Sequence, residues 1–239
     1  MPDWRMSTRT MARAEPGRPG LYRLLAWLSP AFPTGAFSYS HGLEAAEARG
    51  AVHDRGTLET WIGAIVTRGS GRIDAAILCD AYGAALAGDR LALVDANRRG
   101  LAYRSTAELA LESAQQGAAF LATYRAAWPE RLLAEWDSVA GVCHAAAFGA
   151  AAARAGITLV DALLGYLETF AANLVAAGIR LGLVGQTDGQ RILAALEPAI
   201  AAAATTAEGR GSEDFGAATF AVELASMAHE TQYTRLFRS

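Results

Sequence analysis

The apolar residues of the chain recur at intervals of three and four, and this spacing constrains the fold more than any other feature. One stripe after Thr57 consists of Leu58, Trp61, Ile62, Ile65 and Val66. Such spacing places apolar side chains on one face of an amphipathic helix. The sequence has no alternating strand pattern of useful length and no period typical of a solenoid. We therefore predict an all-α protein, a single-domain bundle of roughly nine or ten helices.

Turn and capping signals divide the helical sequence into segments. A first helix over 21–28 ends at Pro30, and a second follows the Pro33-Thr34-Gly35 turn and runs to about Arg49. Three pairs of residues have capping-box spacing, in which two side chains satisfy free backbone N–H groups. These pairs are Ser105 with Glu108, Thr158 with Asp161, and Thr187 with Gln190. From Thr57 we expect helical structure with two apolar stripes, over 58–66 and 73–81, and further helices at 91–101, 105–128, 136–155, 158–179, 192–204 and 217–227.

The two ends of the chain differ in composition from its middle. Residues 1–20 are rich in Pro, Gly, Arg and Thr and contain no apolar run, so we expect a mobile leader rather than a secretory signal. Residues 21–227 form the expected helical domain. Residues 228–239 form a C-terminal tail that we predict to bind a partner.

Composition excludes several functional classes. All 21 basic residues among the 239 are Arg, so the chain has neither a P-loop lysine for a nucleotide nor an amine for a Schiff base. The net charge of -3 gives no argument for nucleic-acid binding, which would favour a basic stripe. Cys79 and Cys143 are isolated, which is typical of reduced thiols in the cytosol. We expect a soluble cytoplasmic protein that binds neither nucleic acid nor membrane.

Small residues suggest self-association. The segments 145–147 and 150–153 consist of Ala, which lets neighbouring helices approach closely but buries little area on each helix. A flat, self-complementary helix face would make a dimer more stable than a monomer. We therefore expect a homodimer.

Local patterns for catalysis or stable metal binding are weak. Ser38, Tyr39 and His41 lie together beside a Gly, but a nucleophile also needs a base in reach and a group that orients that base. The same residues suit a helix entrance after a Pro-Gly turn, and we favour that interpretation. The four histidines are isolated from one another, so we expect no stably bound metal.

Two polar segments are better candidates for recognition. Between 179 and 191 the chain changes from an apolar helix to a Gly-punctuated connector, whose polar residues exceed what helix capping needs. A simple helix–helix connector stays an equal alternative there. The last residues carry two aromatic rings, a Leu and two Arg, which are side chains that concentrate binding energy at interfaces. The tail either packs on its own domain or binds another protein, and we favour the second.

Three segments together resemble the urease accessory protein UreF family. They are Pro33-Thr34-Gly35-Ala36-Phe37-Ser38-Tyr39-Ser40-His41-Gly42-Leu43-Glu44, then Gly185-Gln186-Thr187-Asp188-Gly189-Gln190-Arg191, and finally 227–239. The three segments occur in the same order as in the family. Together they extend over nearly the whole chain after residues 1–20. The resemblance implies a dimeric accessory protein without chemistry of its own. It would bridge the accessory subunit UreD (UreH) and the nickel-carrying GTPase UreG to activate apo-urease, with nickel passing through the complex.

The resemblance also implies which residues contact each partner. For UreD the expected set is His229, Glu230, Gln232, Tyr233, Arg235, Leu236, Phe237 and Arg238. For UreG it is Arg180, Gln186, Asp188 and Gln190, with His41 and Glu44 as second choices. Two rival functions stay open, namely a stand-alone nickel-binding chaperone and a small-molecule hydrolase that uses Ser38 and His41.

Overall fold

The computed structural model describes residues 19–128, 140–210 and 215–239. Within these ranges the regular structure comprises ten α-helices and one 3-10 turn, Ala36–Ser38, which confirms the all-α prediction. The helices are α1 (Pro19–Leu28), α2 (Leu43–Ala48), α3 (Arg55–Arg68), α4 (Ser70–Ala87), α5 (Arg90–Ala102), α6 (Ala107–Ala127), α7 (His144–Arg154), α8 (Leu159–Arg180), α9 (Gln186–Glu208) and α10 (Phe220–His229).

Two of the three predicted helix starts were wrong. Helix α6 is capped by Thr106 rather than Ser105, because Thr106 has an extended backbone and its Oγ1 accepts from the Leu109 N–H. Helix α9 begins at Gln186, so Thr187 lies inside its first turn. The reason is that Gly185 is extended and its carbonyl already accepts from the Gly189 N–H. Thr158 does cap α8, since its Oγ1 accepts from the Asp161 N–H at 3.2 Å.

The helix expected over 136–155 begins only at His144, and its first residues, 136–139, lie outside the described part. Residues 140–143 form a turn held by Asn97. The Asn97 side chain accepts from the Cys143 N–H at 2.7 Å and donates to the Gly141 carbonyl at 3.1 Å. Gly141 also has a φ of 87°, which favours glycine and interrupts a helix. A contact 46 residues distant in sequence therefore sets this boundary.

The core is built on the close packing of α4 against α7. Every residue of α7 from Ala145 to Ala153 is buried, so this helix is enclosed on all sides. A Cβ placed on Gly149 would lie 2.5 Å from the Leu78 carbonyl oxygen, so only Gly permits this separation of the two helices. Trp27 fills the next layer with edge-on contacts to the rings of Phe120 and Phe148.

Helix α8 is long and apolar enough to cross a membrane by length and composition alone. Half of its most apolar window is buried inside the fold, however, and α8 packs against α9, α3 and α4. These contacts identify α8 as a core helix.

The predicted boundaries of the domain fall close to helix ends. Helix α1 begins at Pro19, so residues 1–18 of the expected leader lie outside the described part. Helix α10 extends to His229, so the first two residues assigned to the tail belong to that helix.

Cys79 and Cys143 are both free thiols, and burial raises the pKa of Cys79 to about 11.

Candidate partner-binding surface

The C-terminal tail folds back onto its own domain. After α10 the chain turns and runs alongside the segment that precedes α2. The Ser40 N–H donates to the Ser239 carbonyl at 2.9 Å, and the Arg238 N–H donates to the Ser38 carbonyl at 2.8 Å. The Ser40 hydroxyl donates to the same Ser239 carbonyl. These contacts show that the tail of the isolated chain packs on its own domain, which is one of the two alternatives considered above.

The carboxylate of Glu44 is the centre of this packing. It is buried on α2, and it accepts from the backbone N–H groups of Leu236 at 2.7 Å and Phe237 at 2.9 Å. It also accepts from His229 Nε2 at 3.1 Å. An ionised carboxylate forms strong hydrogen bonds with such donors. Glu44 therefore fixes both the end of α10 and the tail.

A second carboxylate completes the arrangement around His229, which is fully buried. His229 Nδ1 lies 2.6 Å from Glu108 Oε2 on α6, and Arg235 donates to Glu108 Oε1 at 2.7 Å. The His229 ring thus links Glu44 to Glu108, and Arg235 adds a charged donor to Glu108.

The tail residues divide into those that hold it and those that face outward. Phe237 is buried, with the Arg180 guanidinium 4.4 Å from the centre of its ring. Tyr233 is fully exposed, and Leu236 is 62% exposed although its N–H is anchored. The others make polar contacts: Glu230 with the Ala107 N–H, Gln232 with the Thr234 carbonyl, and Arg238 with Gln115.

Helix α10 adds an exposed apolar stripe next to the tail. Its inner face, which includes Val222 and Ala225, is buried. Its outer face carries Phe220, Leu224 and Met227, which are 78%, 59% and 48% exposed. The i, i+4, i+7 spacing places these three side chains on one face of the helix. Sequence reasoning missed this stripe, because spacing alone does not tell which face of a helix the domain covers.

The connector between α8 and α9 is partly exposed, with Leu181, Leu183 and Val184 packed against the core. Gln186 and Gln190 lie on the exposed surface of the first turn of α9, and Asp188 pairs with Arg191 at 2.9 Å. Arg180, at the end of α8, instead donates to the Phe37 carbonyl, and partial burial lowers its pKa. Arg180 therefore contacts the segment before α2 at Phe37 and the tail at Phe237.

His41 and Glu44 are buried, so neither side chain reaches the surface in this conformation. His41 Nδ1 lies 3.3 Å from Glu112, and its Nε2 contacts the Ser70 hydroxyl rather than Ser38. Burial alone would raise the pKa of Glu112, but His41 and a hydrogen bond from Ser239 lower it overall. This hydroxyl–imidazole–carboxylate chain resembles a catalytic triad, yet the cavity beside Ser70 measures only about 40 Å³. Such a space holds about one water molecule and no substrate.

A second polar cluster lies deeper in the core. Arg104 pairs with Asp74, and the Tyr166 hydroxyl donates to Asp74 at 3.1 Å. Burial would lower the pKa of Arg104, but the Asp74 charge raises it above its ordinary value. Burial lowers the pKa of the adjacent His144 to about 4, so this imidazole is neutral at pH 7. In the described ranges, no three His, Cys, Asp or Glu side chains are grouped to hold a metal ion.

Comparison with known proteins identifies the family of the chain. The UreF family model matches residues 52–197. A urease accessory protein UreF of Granulibacter bethesdensis is 46% identical over 225 residues, covering 93% of this chain and 95% of that protein. The UreF of Azorhizobium caulinodans is 45% identical over 235 residues, covering 96% of this chain and all of that protein. The chain therefore belongs to the urease accessory protein UreF family.

Proposed function

We propose that the chain bridges the accessory subunit UreD (UreH) and the nickel-carrying GTPase UreG, so that nickel is inserted into apo-urease. As a UreF family member, it is an accessory factor of urease maturation rather than a catalytic enzyme. In the proposal the complex assembles in the cytoplasm. Nickel passes through the complex as cargo and is not held stably by this chain.

The observation that carries the proposal is an apolar surface on a tail that is already ordered. Glu44 and Glu108 hold the tail, while Tyr233 and Leu236 face outward beside the exposed stripe of α10. A partner that binds an ordered segment does not have to offset the entropy of ordering it. We assign this combined surface to UreD, with Tyr233 and Leu236 as anchors and Phe237 as the residue that holds the tail in place.

The test is co-purification from cells that express the urease operon, using tagged full-length chain and a variant without residues 233–239. The truncated chain is expected to lose UreD and keep its helical content. Tyr233→Ala and Leu236→Ala should weaken capture of UreD while the tail stays docked. Thr234→Ala, an exposed change between them, serves as the matched control. Full capture of UreD by the truncated chain would refute the assignment.

For UreG we propose the exposed start of α9, with Gln186, Asp188 and Gln190, together with Arg180. Asp188→Ala is expected to impair UreG recruitment without affecting UreD. Arg180→Ala should affect both partners, because Arg180 contacts Phe37 and Phe237. His41 and Glu44, as buried groups, would act on UreG only through the docked tail. Normal recruitment by both single variants would remove this surface from the proposal.

The proposed homodimer has a candidate surface of its own. An apolar groove of about 1140 Å³ lies between α1, α8 and α9, and Leu21 and Leu25 are exposed along its edge. A surface that carries both a groove and protruding Leu side chains is suited to pairing with its own copy. Leu25→Asp should convert the dimer to monomer in sedimentation equilibrium. A concentration-independent monomer mass for the unaltered chain would contradict the dimer.

The role of nickel is tested by calorimetry on the isolated chain. If nickel is cargo, titration with Ni²⁺ gives no tight, saturable binding in the absence of partners. A tight site on the isolated chain would instead favour the stand-alone nickel chaperone.

A further inference from the structure

The groove between α1, α8 and α9 is large enough to hold a segment of chain. Its volume of about 1140 Å³ lies above the roughly 300–1000 Å³ that is ordinary for a small-molecule pocket. Each of the three helices contributes apolar side chains to its lining, among them Leu24, Leu164 and Leu193. Leu25 also lines the groove and is 64% exposed, so no described segment covers this edge.

All charged residues that the structure describes in this lining are acidic. Asp161 and Glu168 belong to α8 and Glu197 belongs to α9, and all three residues are exposed. Asp161 and Glu168 are seven residues apart, which places them on the same face of α8, about 10 Å from each other. Such a groove suits a segment that combines apolar and Arg side chains, because guanidinium groups pair with carboxylates.

The residues before α1 have a matching composition. Residues 1–18 carry four Arg against one Asp and one Glu, so their net charge is opposite to that of the groove. They also contain large apolar side chains. The Arg residues are Arg5, Arg9, Arg13 and Arg18, and the large apolar residues are Met1, Trp4, Met6 and Met11. The aliphatic stem of an Arg covers apolar surface while its guanidinium reaches a carboxylate, so both kinds of side chain fit this lining.

Residues 1–18 are attached at one end of the groove. Gly20 lines the groove, and a Cβ on it would lie 3.2 Å from the Gly156 carbonyl oxygen. The start of α1 therefore lies against the residues that precede α8, close to Asp161 in the first turn of that helix. An extended residue spans about 3.3 Å, so Arg13 can lie up to about 23 Å from Gly20, which is twice the distance from Asp161 to Glu168.

This attachment decides whether weak contacts are populated. An exposed pair of Arg and carboxylate stabilises little by itself and is screened by salt. A segment tethered at the edge of its site is present there at an effective concentration in the millimolar range. Several weak pairs, together with the burial of an aromatic ring such as Trp4, then favour the bound segment.

We propose that residues 1–18 of the leader dock into this groove of their own chain, with Trp4 on the apolar floor and Arg9 and Arg13 at Glu168 and Glu197. An occupied groove is closed to a second copy, so the docked leader competes with the homodimer proposed above. That competition rests on the proposed homodimer, whereas the docking of the leader does not. The leader, expected from its composition to be mobile, is then held on its own domain in the monomer.

The test is paramagnetic NMR on the full, ¹⁵N-labelled chain in which Ser7→Cys carries a nitroxide. Labelling at pH 7 favours this cysteine, because Cys143 is buried and the pKa of Cys79 is raised to about 11. The amide signals of Glu168 and Glu197 should broaden, whereas those of α10, which does not line the groove, should stay sharp. Sharp signals at the groove would overturn the proposal.

A charge swap shows whether ion pairs hold the leader. Arg9→Glu with Arg13→Glu removes two exposed pairs, so it should lower the ratio of docked to free leader about 2- to 25-fold. Combining these changes with Glu168→Arg and Glu197→Arg should restore the broadening. Glu208→Arg, an exposed change on α9 outside the groove, is the matched control and should leave the broadening as it is. Unchanged broadening in Arg9→Glu with Arg13→Glu would overturn the assigned pairs.

Two further measurements separate docking within one chain from contacts between copies. In a mixture of ¹⁵N chain without nitroxide and nitroxide-labelled ¹⁴N chain, broadening of equal size would overturn docking within one chain. In sedimentation equilibrium, Arg9→Glu with Arg13→Glu should strengthen the dimer by up to about 25-fold, and an unchanged dimer would overturn the competition. If every variant stays monomeric, the homodimer proposal fails, while the broadening still decides whether the leader docks.

Discussion

Replacing Glu44 with Gln tests whether a single carboxylate holds the tail. In the native chain one Glu44 oxygen accepts from the Leu236 N–H, and the other accepts from the Phe237 N–H and from His229. Gln has the same shape but only one acceptor oxygen. Whichever way its amide is oriented, the NH₂ group faces at least one N–H donor.

The size of the effect follows from these contacts. The substitution removes the charge from the remaining hydrogen bonds and leaves at least one buried donor unpaired, which together cost about 2–3 kcal/mol. The docked tail should therefore open about 30- to 150-fold more often. The helical bundle should keep its structure, because the apolar core of α4, α7 and α8 does not depend on Glu44.

Amide hydrogen exchange of Leu236 and Phe237 measures this opening directly. Their exchange rates in Glu44→Gln should rise about 30- to 150-fold, while core amides in α7 stay protected. Glu47→Gln is the matched control, since Glu47 lies on the same helix and is partly exposed. If Leu236 and Phe237 exchange as slowly in Glu44→Gln as in the native chain, Glu44 does not hold the tail.

Three further predictions concern the core. Arg104→Met should lower the unfolding free energy, measured by denaturant titration, by about 3–5 kcal/mol, because Asp74 would stay buried as an unpaired charge. A smaller loss would show that water reaches this pair. The unfolded chain protonates His144 near pH 6.5 and the native chain only near 4. Keeping His144 neutral therefore contributes a constant amount to the unfolding free energy above pH 6.5, and that amount is lost as the pH falls toward 4. Because His144 borders a cavity, the loss should be about 1–3 kcal/mol and should disappear in His144→Gln, as measured by urea unfolding at a series of pH values. Gly149→Ala should destabilise by about 2–3 kcal/mol through a backbone clash, whereas Gly83→Ala, which has open space, should be neutral or stabilising by up to about 1 kcal/mol in thermal melts.

Side-chain periodicity predicted the helices well where local sequence decides the structure. The first helix, expected over 21–28, is present as α1, and the stripe after Thr57 lies on α3, with Leu58, Ile62 and Ile65 fully buried. The start of α7 could not be predicted in this way. Asn97 holds the preceding turn, and no local pattern around 136–143 records that contact.

For the candidate surface, too, the sequence predicted some features and distant contacts decided others. The composition of the tail and its resemblance to the family indicated a recognition segment, and Tyr233 and Leu236 are indeed accessible on it. The roles of Glu44, Glu108 and His229 could not be read from sequence, because they lie 64 and 121 residues apart along the chain. Only folding brings α2, α6 and α10 together around the imidazole. The partner assignments themselves stay predictions.

By itself, the sequence determined that this chain is helical, that it lacks a lysine-dependent chemistry, and that its ends and its 179–191 connector differ from its core. These properties follow from residue type and from spacing over one or two turns of helix. The tertiary structure decided which side chains of the tail are buried and which face solvent, and which hydroxyl meets His41. It did so because hydrogen bonding and burial depend on distances in space, which a local pattern does not contain.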